Sequence, residues 1–598
     1  MNVKTSLEVG KDASKPEQLI TAHIDIWTSA ILAKSSSGRG SSKKYELYGI
    51  SKLRELILEL AVRGKLVPQD DNDEPASVLL EKIAVEKAQL IKKGRIKKVK
   101  VRDKINEDEK SFELPRNWSW IRLSNIYDVR DGTHDSPKYQ ASGYPLVTSK
   151  NLASGTLSLD DVKYISTKDH QKIAERSAVV KGDILFAMIG TIGNPVIVDI
   201  DDEFSIKNVA LFKPINGLLN SMQFLRIQLI VASKYLKNNA SGAVQKFASL
   251  TKLREQAVAL PPLAEQQRIV AKVDELMLLC DQLEQQTEAS IDAHATLVEV
   301  LLATLTDSDD ADELAQNWTR IAEHFDTLFT TEQSIDALKQ TVLQLAVMGK
   351  LVPQNPGDEP ASVLLENIAK EKEQLIKDKK IKKQKTLLSI TDEETPFELP
   401  YGWEWCCLGN LTTIRGGKRL PKGYQLTTEK TPYIYIRVTD MRDGSIRDDD
   451  IHYISKEVQS QISNYIITQD DIYMTIVGAT IGKCGLVPSK FNGMNLTENA
   501  ARIIPFYGVE KNYLFKCLDS SFAQKQFFDK TKQVGVQKMA LNRLSSTKIP
   551  LPPLAEQHRI VAKVDELMAI CDQLKEKLQQ SQETQVQLTD ALIDRALG

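Results

Sequence analysis

Apolar positions mark two long helices along this chain. After Pro261-Pro262, with Glu265 in the first turn, apolar residues fall at Ile269, Val273, Leu276, Cys280 and Leu283. The spacing alternates four and three, which winds one continuous seam along a helix. The pattern returns at Ile560, Val564, Leu567, Cys571 and Leu574 and carries on through Leu578 to Leu588 and Leu592. Each helix has room for about 40 residues, on the order of 60 Å. Two similar seams in one chain pack most economically on each other; an intermolecular coiled coil is the other reading. Cys280 and Cys571 lie on the seams, where packing rather than metal binding is expected. Between these helices, residues roughly 112–260 and 397–551 carry short β-like runs (Asp183 to Gly190, Pro195 to Ile200, Tyr433 to Val438) punctuated by Gly, Pro and Asn. Helical stretches follow at Met222 to Lys237 and Lys511 to Lys530. The pattern predicts two α/β domains on a helical spine.

Repetition organises the rest. Residues 60–83 return at 345–368, an offset of 285 that also carries Phe112-Glu-Leu-Pro and Trp118-x-Trp120 to Phe397-Glu-Leu-Pro and Trp403-x-Trp405. Residues 260–283 return at 551–574, an offset of 291. The interiors share only landmarks, such as Tyr164-Ile-Ser with Tyr453-Ile-Ser, Gly155 with Gly444 and Asn208 with Asn499. Near-identical blocks do one job twice, while the divergent interiors do related but different jobs. The segments expected are 1–46, a helix at about 17–33 with a Ser/Gly-rich linker from Lys34 to Lys44; 47–111, the first repeated helical region; 112–260, the first divergent domain; 261–396, a central helical spacer with the second repeated region; 397–551, the second divergent domain; and 552–598, the closing helix. The stretch from Asn317 to Phe329 reads as unique to the middle of the chain.

Composition narrows the class. A chain of 598 residues with 42% hydrophobic and 26% charged residues is folded, in several domains. No apolar run approaches the roughly 18 residues a membrane span needs, and the start is polar, so no membrane association is expected. Six irregularly spaced cysteines give no disulfide framework, and a cytoplasmic setting fits. The net charge of −2 decides nothing about nucleic acid. Gly478-Ala-Thr-Ile-Gly482-Lys483-Cys484 lacks the spacing and hydroxyl of a phosphate-binding loop, and its sister Gly190 to Pro195 lacks the lysine, so both read as turns. No GxGxxG opens a helix, and there is no HExxH or base-methylation segment. Asp274-Glu275 and Asp565-Glu566 fall on exposed helix faces. A chain without catalytic residues is expected.

Polar loops carry the remaining signal. Basic runs at Lys92 to Lys104 and Lys377 to Lys385 precede the two divergent domains; they read either as phosphate contacts or as solvated linkers. After each Trp-x-Trp comes a loop bearing Arg130, Thr133, His134 and Lys138 in the first copy and Arg415, Lys418, Arg419 and Lys422 in the second. Lys150 and Asn151, and Arg437 and Asp440, follow predicted strands. Such side chains bond to base edges and phosphates. They differ between copies on a shared skeleton, as two readers of different DNA sequences would.

Two divergent domains flanked by LPPLAEQxRIVAKVDELM and LAVxGKLVPQ…EPASVLL resemble the specificity subunit of type I restriction–modification systems, from about Leu19 to the last residue. The extended N-terminus with Asp25-Ile-Trp27 resembles the longer-chain branch. The resemblance implies an α+β fold in which two target-recognition domains, each reading half of a split asymmetric DNA site, are joined by long antiparallel coiled-coil helices in a pseudo-twofold repeat. It implies double-stranded DNA, two modification subunits and restriction subunits as partners. S-adenosylmethionine, ATP and Mg2+ belong on those partners, with no cofactor, metal or catalytic residue in this chain. The family supplies no transferable reader residues. The alternative is a coiled-coil adaptor that binds proteins and reads no DNA.

Overall fold

The computed structural model describes residues 20–33, 45–98, 104–190, 192–215, 221–238, 248–309, 311–382, 390–391, 395–531 and 538–598. The Ser/Gly-rich linker at 34–44, residues 99–103 of the first basic run and 383–385 of the second lie outside the described residues. The chain divides into two units, Met1–Ser290 with Ser581–Gly598, and Ile291–Gln580.

The first unit begins with α1 (Ile24–Ser29), α2 (Tyr48–Val62) and α3 (Ala76–Lys92). Strands β1 (Ser119–Arg122), β2 (Tyr127–Asp131), β3 (Tyr144–Val147), β4 (Lys163–Ile165), β5 (Ile184–Ala187), β6 (Gly193–Ile197), β7 (Ser205–Ile206) and β8 (Val209–Pro214) follow. Helix α4 (Met222–Asn238), β9 (Ala257–Leu260) and α5 (Leu263–Asp307) complete this part of the chain. A four-stranded antiparallel sheet runs β2-β8-β5-β6, with every residue of β5 buried. A three-stranded sheet has β3 at its centre, antiparallel to β4 and parallel to β7, and β1 pairs with β9.

The second unit repeats the plan. It contains α6 (Phe325–Leu328), α7 (Glu332–Val347), α8 (Ala361–Lys377), β10 (Glu404–Cys407), β11 (Thr412–Gly416), β12 (Tyr435–Ile436), β13 (Ile466–Ile467), β14 (Ile472–Thr475), β15 (Cys484–Leu486), β16 (Met494–Leu496), β17 (Ala500–Pro505), α9 (Lys511–Asp519), β18 (Lys548–Leu551) and the part of α10 (Leu554–Leu597) up to Gln580, as well as α5 from Ile291 on. Its four-stranded sheet runs β11-β17-β14-β15, and β10 pairs with β18. The three-stranded sheet differs: β16, the counterpart of β7, is central, with β12 parallel on one side and β13 antiparallel on the other. The glycine-bracketed segment 478–482 is the turn joining β14 to β15; Gly190 and Gly193 flank the connection from β5 to β6, of which residue 191 lies outside the described residues.

Three expectations are corrected. Of the helix expected at about 17–33, the described residues are helical at 20–21 and over α1, which ends at Ser29 and is anchored by the fully buried Trp27; residues 17–19 lie outside the described residues. The stretch Lys511 to Lys530 is two helices, because Ser520 is extended and its hydroxyl bonds to Cys517 O and receives Ala523 N. The Asn317 to Phe329 stretch is not unique. Ile20-x-x-His23-x-Asp25-x-Trp27 matches Ile321-x-x-His324-x-Asp326-x-Leu328, at an offset of 301. Both histidines cap their short helices, the carbonyl of His23 taking Ile26 N and Trp27 N and that of His324 taking Thr327 N and Leu328 N. The larger offset is absorbed between α1 and α2, where the first copy carries its linker.

The seam residues Ile269, Val273, Leu276, Cys280, Leu283, Ile560, Val564 and Cys571 are buried, and Leu567 and Leu574 pack half-buried against the core. In the first unit, Arg54 of α2 bonds to Asp281 and Glu284 of α5, and Asp73, further along, to Arg268. Tyr48 donates to Asp590 and Lys65 to Leu597 O at the end of α10. Thus α2 opposes α5 and follows α10, which makes the two long helices antiparallel there. In the second unit the seam of α10 shares a core with Ile335, Leu338 and Val342 of α7 and Val298, Leu302 and Leu305 of α5. The stretch of α5 meeting this seam therefore lies beyond the one expected. Among the described helices α5 is long and apolar enough, by length and composition, to cross a membrane, with mean hydropathy 1.2 over 18 residues. Its buried apolar residues are core positions.

The repeated Trp, Glu and Gly residues form one clasp in each unit. Glu265, in the first turn of α5, accepts Trp118 Nε1 at 2.9 Å and Gln69 Nε2 at 2.7 Å. Glu556, in the first turn of α10, accepts Trp403 Nε1 at 3.0 Å. Both carboxylates lie against a helix N-terminus, whose field favours an anion. Gly64 (φ 68°) and Gly349 (φ 71°) end α2 and α7 in the left-handed region. A Cβ at either would meet Pro115 and Trp118, or Pro400 and Trp403, at 3.0 Å or less.

Burial raises both carboxyl groups above their ordinary value of 4.5, against the lowering effect of the indole donors. Between the ordinary and the raised value the folded chain binds more protons than the unfolded one. This part of the stability is therefore present at acid pH and lost as pH rises through the raised value. Thermal midpoints measured from pH 4 to pH 8 should fall less with pH in Glu265→Gln/Glu556→Gln than in the wild type. Identical pH profiles would remove the two clasps from the stability balance.

Candidate nucleic-acid interface

In each unit two loops meet beside the four-stranded sheet. The loop after β2 lies on the residues joining β7 to β8: Gly132 N donates to Val209 O and Thr133 N to Ile206 O, both at 3.0 Å. In the second unit Gly417 N donates to Ala500 O at 3.0 Å and Lys418 N to Leu496 O at 2.9 Å. A Cβ on Gly132 or Gly417 would fall 2.1 Å from the carbonyl oxygen of Ile206 or Thr497, so both crossings need glycine. A third segment is tied in by Lys207 N to Val147 O and by Thr497 N to Ile436 O. Different side chains thus stand on one backbone frame.

The candidate residues divide by what they already hold. Arg130 binds Asp128 at 2.6 Å and the Arg95 carbonyl, and Arg415 binds the Lys380 carbonyl at 3.2 Å. Each ties its strand to the chain just beyond α3 or α8. His134 lies 2.9 Å from both Asn208 Oδ1 and Asp131 Oδ2, and Asp131 also pairs with Arg176. Asn208 is held at φ 55°. Arg437 is enclosed by Asp440, Asp450 and His452. Asp440 also takes the Arg437 amide at 2.8 Å, closing a single helical turn. Asn151 is buried: its oxygen accepts Thr148 N and Oγ1, and its amide donates to the carbonyls of Ser158 and Asp161. These side chains build the loops.

Others face outward. Lys138, Lys150 and Lys422 are exposed, and their ammonium groups carry no hydrogen bond or ion pair among the described residues. Thr133 is half-buried, and its hydroxyl accepts Asp135 N at 3.2 Å within its own loop. Arg419 pairs with Glu498 at 2.7 Å while 81% exposed, so a stronger anion can recruit it. Lys418 lies 5.4 Å from the Tyr465 ring centroid. Tyr435 donates to Lys418 O, and burial pushes its hydroxyl up to about 12, so it stays a neutral donor. Between Ile206 and Asn208 the first unit has only Lys207, whose ammonium bonds to Ser136, where the second unit has Thr497 and Glu498 between Leu496 and Asn499. Sequence reasoning passed over Lys207 and Glu498; the Asn208/Asn499 landmark beside them was the available signal. Among the described residues no group of three or more His, Cys, Asp or Glu is placed to hold a metal.

Residues 115–293 and 400–583 match the family model of the type I restriction modification DNA specificity domain. Along nearly its whole length the chain is 42% identical to the type I restriction enzyme EcoAI specificity subunit of Escherichia coli, covering 97% of this chain and 100% of that one. The chain belongs to the type I restriction enzyme specificity subunits. Its relatives include the EcoEI specificity subunit of Escherichia coli, 40% identical over 97% of this chain and all of the other. A chain solved in work on complex assembly and conformational transition of the type I R-M system is 18% identical over 81% of this chain and 99% of its own, with a TM-score of 0.48. In this specificity subunit each matched stretch begins just before the clasp tryptophan and ends within a long helix.

Asn151→Ala should cost about 1–3 kcal/mol, because it strands a buried loop amide and two carbonyls. Lys150→Ala, one residue away and exposed, should cost under about 0.5 kcal/mol. Urea unfolding of the two variants checks the contrast; equal losses would refute the division into loop-building and outward-facing residues.

Proposed function

We propose that this specificity subunit is non-catalytic and that each of its two domains reads one half of a split, asymmetric DNA target. The observation that carries the reading is the pair of loop platforms, equal in backbone frame and different in side chains and charge. The outward residues Thr133, Lys138, Lys150, Lys207, Lys418, Arg419 and Lys422 make the contacts. Arg130, His134, Asn151, Arg415, Arg437 and Asp440 position them. Lysines hold phosphates and set register, while arginine and hydroxyl groups supply base-edge bonds.

The long helices fix the separation of the half-sites. Linking two weak contacts makes the second intramolecular, and the combined selectivity exceeds either alone. Half-sites about one helical turn apart present the same DNA face to both domains. The helices also dock two modification subunits, which use S-adenosylmethionine to methylate an adenine flipped from the stack. Restriction subunits supply ATP- and Mg2+-dependent cleavage in the cytoplasm.

Sequencing N6-methyladenine in cells expressing this chain with a modification subunit should yield a split motif that vanishes without the chain. Replacing residues 397–551 by another member's domain should change one half of that motif only; a change in both halves overturns independent reading. With the purified complex, Lys138→Ala/Lys150→Ala should reduce the slope of log affinity against log salt by about 2, since each lysine that neutralises a phosphate contributes near 0.9. An assembled complex that leaves no motif would favour the protein-binding adaptor.

A further inference from the structure

The two seams are interchangeable in apolar content. Ile269, Val273, Leu276, Cys280 and Leu283 have the same residue types as Ile560, Val564, Leu567, Cys571 and Leu574. Burial of equal surfaces cannot tell the pairing of α2 with α5 from that of α2 with α10's seam, and specificity then needs a repulsive element. The charged flanks supply it. Arg54 meets Asp281 at 2.6 Å, and its counterpart Lys339 meets Asp572, the counterpart of Asp281, at 2.6 Å. That bridge is common to both units. The next position is inverted. Glu284, which takes Arg54 at 2.6 Å, is replaced in the second copy by Lys575. The helix facing Lys575 has gained two acids, Glu332 where the first copy has Leu47 and Asp336 where it has Ser51. Lys575 Nζ lies 3.6 Å from Glu332 and 3.8 Å from Asp336. A charge inversion on one side of the interface is thus answered on the other side.

We propose that this compensated inversion is a pairing code, an interaction surface that fits α2 to α5 and α7 to α10 and rejects the exchanged pairs, within one chain or with a second copy of it. An exchanged α7 would set Glu332 and Asp336 against Glu284. An exchanged α2 would set Arg54 beside Lys575, with no acid at Leu47 or Ser51. The bridges are solvent-exposed, between 25% and 64% at each side chain, so each adds little to stability by itself. Their effect is in the difference between matched and like-charged faces, as at the flanks of coiled coils. The code does not depend on DNA reading.

The test uses the full-length chain and a double-mutant cycle. K575E should lower the thermal midpoint in the wild-type background and leave it unchanged in the E332L/D336S background. The triple variant K575E/E332L/D336S carries the first unit's code twice. When two differently tagged triple-variant chains are unfolded and refolded together, the doubly tagged complex should rise several-fold over the wild-type yield. If K575E alone does not fold, the triple variant's folding and exchange yield still decide. An equal midpoint loss in both backgrounds, or no more exchange in the triple variant than in the wild type, overturns the code.

Discussion

Everything in this subunit hangs on a buried glutamate at the start of each long helix. Glu265 and Glu556 are 1% exposed, and each accepts an indole N–H from the strand region of its recognition domain. A carboxylate in such a place is expensive unless its oxygens are bonded and a favourable field surrounds it. For Glu265 the indole, the Gln69 amide and the helix N-terminus meet those needs together; Glu556 has the indole and the helix N-terminus, and its Oε1 is buried without a bond among the described residues. Helix, glycine turn and β-strand are thereby locked at one point, which gives the direction in which the platform loops project from the spine.

Much of this was legible in the residues. The four-three spacing located both seams, and short β-like runs punctuated by Gly, Pro and Asn located β5, β6 and β12. What escaped has physical reasons. The Trp-x-Trp and PPLAEQ blocks were visible as repeats, but nothing in a linear sequence says that a tryptophan at 118 donates to a glutamate at 265. The His23 and His324 caps were hidden by an offset that a linker had shifted. Asn151 and Asp440 read as solvent-facing because a polar residue that caps a buried turn looks the same in sequence as one that meets a ligand. Exposed lysines carry no such ambiguity once burial is known, and Lys138, Lys150 and Lys422 stand out only then.

The two halves also illustrate how a duplicated fold diversifies. The seams kept their apolar residues because a packed core tolerates few changes of volume. Charges beside them were free to invert, since each costs little alone. On the platforms, the single Lys207 of the first unit stands where the second carries Thr497 and Glu498, the latter paired with Arg419. Scaffold and reader have therefore drifted under different rules within one chain.

The three-stranded sheets carry that difference furthest. In the first domain β3 is the middle strand, and in the second the middle strand is β16, yet the four-stranded sheet and the clasp are alike in both. The segment of β12 still bridges Tyr453, as β3 pairs with Tyr164 of β4, so the difference is one edge strand, β13, added beyond β16. That added edge lies outside both the four-stranded sheet and the clasp, so recognition domains that differ at this edge can sit on the same pair of helices.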